Sequence, residues 1–150
     1  MTEVDTVRQV FSANQRFYEA FESLDIRRMT AVWQQDEGVQ CIHPGWPRLI
    51  GWQAVRDSWI RIFNNTRSMK FRITEPRIIV KGSVAWVVCI ERIEMVIDEE
   101  PQDTLVLATN MFVRPDHDPD HHNDQPEEGR WLMVHHHGSP VLQRLSEPGE

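Results

Sequence analysis

Positive charge is in deficit in this sequence. Its 150 residues hold 16 basic side chains against 23 acidic ones, a formal net charge of −7. Non-specific nucleic-acid binding needs a basic face, so nucleic acid is not an expected partner. Long apolar runs are missing as well. None approaches the length of a bilayer span, so no membrane partner is expected. The start, Met1-Thr2-Glu3-Val4-Asp5, lacks the basic and then apolar pattern of a secretory leader, which makes the cytoplasm the expected location. Cysteine is scarce. Cys41 and Cys89 each sit in an apolar, strand-like run and read as buried free thiols rather than a disulfide framework. One tyrosine stands against six tryptophans, several of them candidates to line a cavity. What remains has the composition of an ordinary globule, most simply one domain over 1–150.

The apolar spacing changes along the chain. Val7, Val10, Phe11, Asn14, Phe17, Tyr18 and Phe21 recur at three- and four-residue steps, which predicts a long amphipathic helix. A short second helix follows, with Ser23 or Asp25 as its N-cap and Met29, Val32 and Trp33 turned inward. Asp36-Glu37-Gly38 reads as a turn and Val39 to Ile42 as a short strand. The loop His43-Pro44-Gly45-Trp46-Pro47 cannot be regular. Gly51 precedes a third helix from Trp52 to Asn64, with Val55, Trp59, Ile62 and Phe63 on one side. From Met69 the period becomes two. Met69–Thr74, Arg77–Val80, Ser83–Ile97, Thr104–Val113 and Trp131–His137 read as strands. Turns are expected at Lys81-Gly82 and at Asp98-Glu99-Glu100-Pro101. Helices followed by an antiparallel meander predict an α+β fold with helices on one face of a curved sheet. The polar stretch 114–130 predicts a hairpin loop.

Three consecutive histidines end the meander in Trp131-Leu132-Met133-Val134-His135-His136-His137-Gly138. Strand alternation puts His135 and His137 on one face and His136 on the other, with Val134 and Leu132. At least one imidazole must then find a partner in the interior.

These elements resemble the SnoaL-like branch of the nuclear transport factor 2-like superfamily. The resemblance rests on the opening helix with Leu24-Asp25 and Met29-Val32-Trp33, on Cys41-Ile42-His43-Pro44 with Gly51-Trp52, and on Trp131-x-x-Val134-His135-x-His137-x-Ser139. The last pattern is similar to the end of the association domain of calcium/calmodulin-dependent protein kinases. The resemblance implies a cone-shaped α+β roll, three helices on a strongly curved, mostly antiparallel sheet. It also implies a homodimer through the sheet's outer face. The superfamily includes isomerases, cyclases, dehydratases and oligomerisation modules, so fold alone does not choose among them. No aspartate falls where the cyclases and isomerases carry theirs. Glu94, Asn110 and Gly138 stand where the association domains carry pocket arginines.

The leading expectation is a small-molecule binding protein with a mostly apolar, cone-shaped pocket for a hydrophobic or aromatic ligand, and no cofactor. His43, where a strand meets the proline-glycine loop, and His136, turned inward, are the candidate general bases. Trp46, Trp59, Arg92, Asn110, His135 and His137 are the candidate ligand contacts. Glu91 and Arg92 interrupt an apolar strand and must point to opposite faces, one of them internal. An isomerase, cyclase or dehydratase and a non-catalytic oligomerisation module are the alternatives. A filled cone would favour the module. No metal is assigned: His135 and His137 would need a third ligand such as His43 or Glu91. Asp116, His117, Asp118, Asp120, His121, His122 and Asp124 do not match a calcium loop.

Overall fold

A computed structural model describes residues 2–115 and 130–142. The loop expected at 114–130 and its aspartates and histidines therefore lie almost wholly outside the described residues.

Helix α1 spans Glu3–Ser23. Thr2 and Asp5 form a reciprocal capping box at its start, which satisfies two of the free N–H groups there. Leu24, in the left-handed region at φ 55°, ends it. Asp25 caps α2, Ile26–Val32, by accepting from Arg27 N. Ser23, the other cap considered, instead donates to Ala20 O. Helix α3 spans Trp52–Asn65 and follows Gly51, whose φ of 88° suits glycine.

Six strands form one open sheet: β1 Gln40–Ile42, β2 Leu49–Ile50, β3 Ser68–Lys81, β4 Val84–Ile97, β5 Glu100–Val113 and β6 Leu132–Pro140. Their order is β2-β1-β6-β5-β4-β3. Only β1 and β6 run parallel; the other pairs are antiparallel. The fold is thus the curved α+β roll expected, with β2 a short addition that a two-residue element could not announce. The β4–β5 turn is tighter than the sequence indicates. Asp98 and Glu99 both have positive φ, 50° and 66°, and β5 starts at Glu100. Successive positive φ values match the twist of a two-residue hairpin.

Two irregularities bend the sheet. Between Thr74 and Arg77 the pairing with β4 shifts, with Glu75 at φ 54°. The two short strands read from the period are therefore one bulged strand. In β6 the register passes from Met111↔His135 to Phe112↔Met133, leaving Val134 as the extra residue. A bulge of this kind adds local bend and shifts the alternation by one. It explains why His136 faces inward with Met133, and not with Val134 and Leu132 as unbroken alternation requires.

The helices pack on the concave face. Phe17 contacts Trp59 and Phe21 edge-on, with ring centroids 5.8 and 5.9 Å apart, and lies 4.9 Å from the His136 ring. Trp33, Phe63 and Trp131 join this buried aromatic layer, above Val87, Ala108 and Met133 of the sheet. These buried side chains pack the centre of the cone, where the sequence suggested an apolar pocket.

Candidate functional site

Alternation along β4 and β5 sets the polar residues of the concave face. Residues 85, 87, 89, 91 and 93 of β4 are buried, as are 106, 108, 110 and 112 of β5. Glu91 and Asn110 therefore enter the interior, and Asn110 pairs directly with His136 across β5–β6. Asn14 and Tyr18, four residues apart on α1, reach down to meet them. Asn110 Nδ2 donates to Asn14 Oδ1 at 2.9 Å and to Tyr18 Oη at 3.0 Å. Tyr18 Oη is 2.5 Å from Glu91 Oε2. His136 Nδ1 is 2.6 Å from Asn110 Oδ1.

The donors and acceptors fix the protonation. Asn110 uses its amide hydrogens on Asn14 and Tyr18, so its oxygen accepts from His136 Nδ1–H. His136 thus carries a hydrogen on Nδ1, and its burial favours the neutral ring. Complete burial holds it well below the usual histidine range, reinforced by the neighbouring His43. Glu91 is 2 % exposed and makes no ion pair among the described residues. Burial pushes its carboxyl up to about 7, partly offset by the Tyr18 hydrogen bond. Tyr18 is pushed well above 10.0 by burial and by the adjacent Glu91. A carboxyl that titrates near neutrality beside a phenol can pass or withhold a proton.

His43 lies in a second cluster. Its Nε2 is 2.9 Å from Ser58 Oγ, and Ser58 donates its own proton to Val55 O at 2.6 Å. Nε2 therefore carries the hydrogen and donates to Ser58, so this is no nucleophile–base pair. The ring stacks edge-on with Trp59 at 4.7 Å and Trp46 at 4.9 Å. Burial lowers its pKa to about 4. The two clusters adjoin, with the His43 and His136 ring centroids 6.4 Å apart.

The structure thus gathers His43, Trp46, Trp59, Asn110 and His136 in one region, with Trp46 half-buried and Arg61 over its ring at 5.5 Å. It separates the remaining candidates. Arg92 lies on the convex face, its side chain 52 % exposed and 3.9 Å from Asp103. Strand parity gives the interior to Glu91 instead, so Arg92 is not a contact of this cluster. His135 and His137 also occupy the convex face, ring centroids 6.3 Å apart. Sequence reasoning did not select Asn14, Tyr18 or Ser58. Tyr18 carried a signal in being the sole tyrosine on an apolar helix face. Among the described residues, no three His, Cys, Asp or Glu side chains gather as a metal site.

None of four cavities, of 280, 390, 630 and 730 Å³, has His43 or His136 in its wall. The 280 Å³ cavity lies between α1 and β3 and is lined by Phe11, Asn14, Tyr18, Phe71, Ile73 and Pro76, among others. Two members of the polar cluster therefore face a cleft that opens to solvent.

Comparison with known proteins places this arrangement. Residues 10–143 match the SnoaL-like domain, and the chain belongs to that family. A candidate dehydratase of the nuclear transport factor 2-like family from Streptomyces avermitilis has a solved structure 36 % identical in sequence. It covers 94 % of this chain and 99 % of its own, with a TM-score of 0.81. A candidate calcium/calmodulin-dependent protein kinase type II association domain from Thiobacillus denitrificans is 30 % identical over 87 % of this chain and 93 % of its own, TM-score 0.65. The F-box protein SKIP8 of Arabidopsis thaliana is 29 % identical over 91 % of this chain. This chain spans about half the length of that curated relative, 52 %.

Proposed function

We propose that the protein binds a small, largely apolar carbonyl compound in the cleft between α1 and β3. Tyr18 meets the carbonyl as hydrogen-bond donor, and Glu91 behind it governs whether that proton is available. The observation that carries the reading is a buried carboxyl without a cation, paired to a tyrosine in the wall of a cavity. Keeping an uncompensated acid inside a fold costs stability and marks candidate functional groups. With Glu91 protonated, its O–H can donate to Tyr18 Oη and leave the phenol hydrogen for a ligand. With Glu91 ionised, that hydrogen is held by the carboxylate. Binding therefore weakens as pH rises through about 7. Asn110 and His136 position Tyr18. The likeness to the candidate dehydratase supports a dehydration or isomerisation, either of which places developing charge on a carbonyl oxygen.

The test is titration with 2-naphthol, a planar mimic of an enol, followed by ligand fluorescence. Saturable binding by the native protein, weakened about tenfold by Tyr18→Phe, supports the reading. Absence of saturable binding, or equal binding by the variant, refutes it.

A second reading concerns assembly. The convex face carries Leu107, 47 % exposed, beside half-buried Trp86, Val88, Ile90 and Met111. An apolar sheet face of this kind suits a second copy of the chain. The association-domain likeness and the filled cone both favour an oligomeric role. Light scattering of the native protein and Leu107→Glu tests it: a dimer that dissociates in the variant supports the reading, and a native monomer removes it.

A further inference from the structure

We infer that the groove between α1 and α2 binds a small polyanion, a molecule carrying two or more carboxylate or phosphate groups. The groove has a volume of 630 Å³ and is lined by Arg8, Arg16, Arg28 and Arg130. Glu19 is the sole carboxylate of its described wall. Four arginines thus line one concavity of a chain whose net charge is −7.

Arg8 and Arg28 act only at longer range, helping to lower the carboxyls of Asp5 and Asp25. Among the described residues, none of the four has a carboxylate oxygen within 4.0 Å. Arg27, Arg67 and Arg92 differ, with carboxylates at 3.2, 3.1 and 3.9 Å. Arg130 is held in place, because its Nη2 donates to Ala31 O at 2.8 Å in the last turn of α2.

The shape selects the ligand class. Arg8 and Arg16 stand two helical turns apart on one face of α1, with Ser12 between them. Eight residues of α-helix rise roughly 12 Å. Anionic groups spaced along one ligand can pair with arginines from successive turns of the helix. Ala13, Ala20 and Ala31 keep the walls low between the arginines. Guanidinium forks match carboxylate and phosphate oxygens in pairs, and low-dielectric walls focus the positive field.

Calorimetry at low salt with tripolyphosphate, citrate and an oligo-glutamate peptide tests this. The inference predicts saturable binding of tripolyphosphate or citrate that weakens as salt is added. The double variant Arg16→Gln/Arg28→Gln should weaken it about tenfold or more, with an unchanged melting temperature. Arg72→Gln/Arg77→Gln, a control on β3, should leave it intact. No saturable binding, or equal binding by the groove variant, overturns the inference. Binding of the peptide alone also overturns it and assigns the groove to an acidic partner protein.

Discussion

Glu91 and Arg92 are neighbours in sequence and opposites in circumstance. The first is 2 % exposed, lacks a cation and is held by a phenol. The second is half in solvent, 3.9 Å from a carboxylate that is itself exposed. His136 and His137 repeat the contrast on β6: one imidazole is buried against Phe17 and Asn110, the next is exposed. The two faces of one sheet thus divide the chemistry. The concave face holds few polar groups, and those that ionise, Tyr18, His43, Glu91 and His136, have shifted titration. The convex face holds charges that water solvates and apolar side chains that a second copy can cover. Charged residues on the convex face report little about function, whereas any ionisable group on the concave face had to be fitted into the packing.

The largest expected break in this contrast is at the histidines. His136→Ala removes a ring from the aromatic layer and leaves Asn110 Oδ1 without its donor. It should cost about 3–5 kcal/mol in urea unfolding, while His137→Ala stays within about 0.5 kcal/mol.

The pH dependence comes next. Glu91 is raised to about 7, so the folded state holds its proton and stability falls as pH rises from the carboxylate range to about 7. His43 is lowered to about 4, so its contribution is present above the usual histidine range and is lost as pH falls toward 4. The two slopes oppose each other in mildly acidic solution. Glu91→Gln removes the first. Its stability should then rise with pH across that window by up to about 1.4 kcal/mol per unit for each buried histidine, while the native protein stays flatter. Thermal melts over a pH series read the difference.

Tyr18→Phe leaves Glu91 buried without its hydrogen-bond partner and should cost about 1–3 kcal/mol. Arg92→Ala should change unfolding free energy least, by no more than about 0.5 kcal/mol. Equal effects at Glu91 and Arg92 would erase the distinction between the faces.

Much of the fold was legible because its elements are strongly patterned. The three-and-four spacing from Val10 to Phe21 and the alternation from Val84 to Ile93 each declare one buried face. Asn110 follows the buried alternation of β5, whereas His136 was read inward from the family resemblance and in company with Val134 and Leu132. The bulges were not legible, since an extra residue at Val134 changes parity without changing composition. Strand alternation showed that Glu91 and Arg92 point apart, but which one is internal depends on packing against α1. Tyr18 could be placed on a buried helix face, yet its pairing with Glu91 joins residues 73 positions apart. The filling of the cone depends on how the rings of Phe17, Phe21, Trp33, Trp59, Phe63 and Trp131 interlock, which no local pattern encodes.

The central claim is that Glu91 carries a proton near neutrality inside the fold. Carbon-13 NMR titration of the side-chain carboxyl groups, with the Glu91 resonance assigned through Glu91→Gln, tests it directly. A midpoint near 7 is the expected result. A midpoint in the ordinary range near 4.5 would contradict the account and leave Glu91 a solvated or conventionally paired acid.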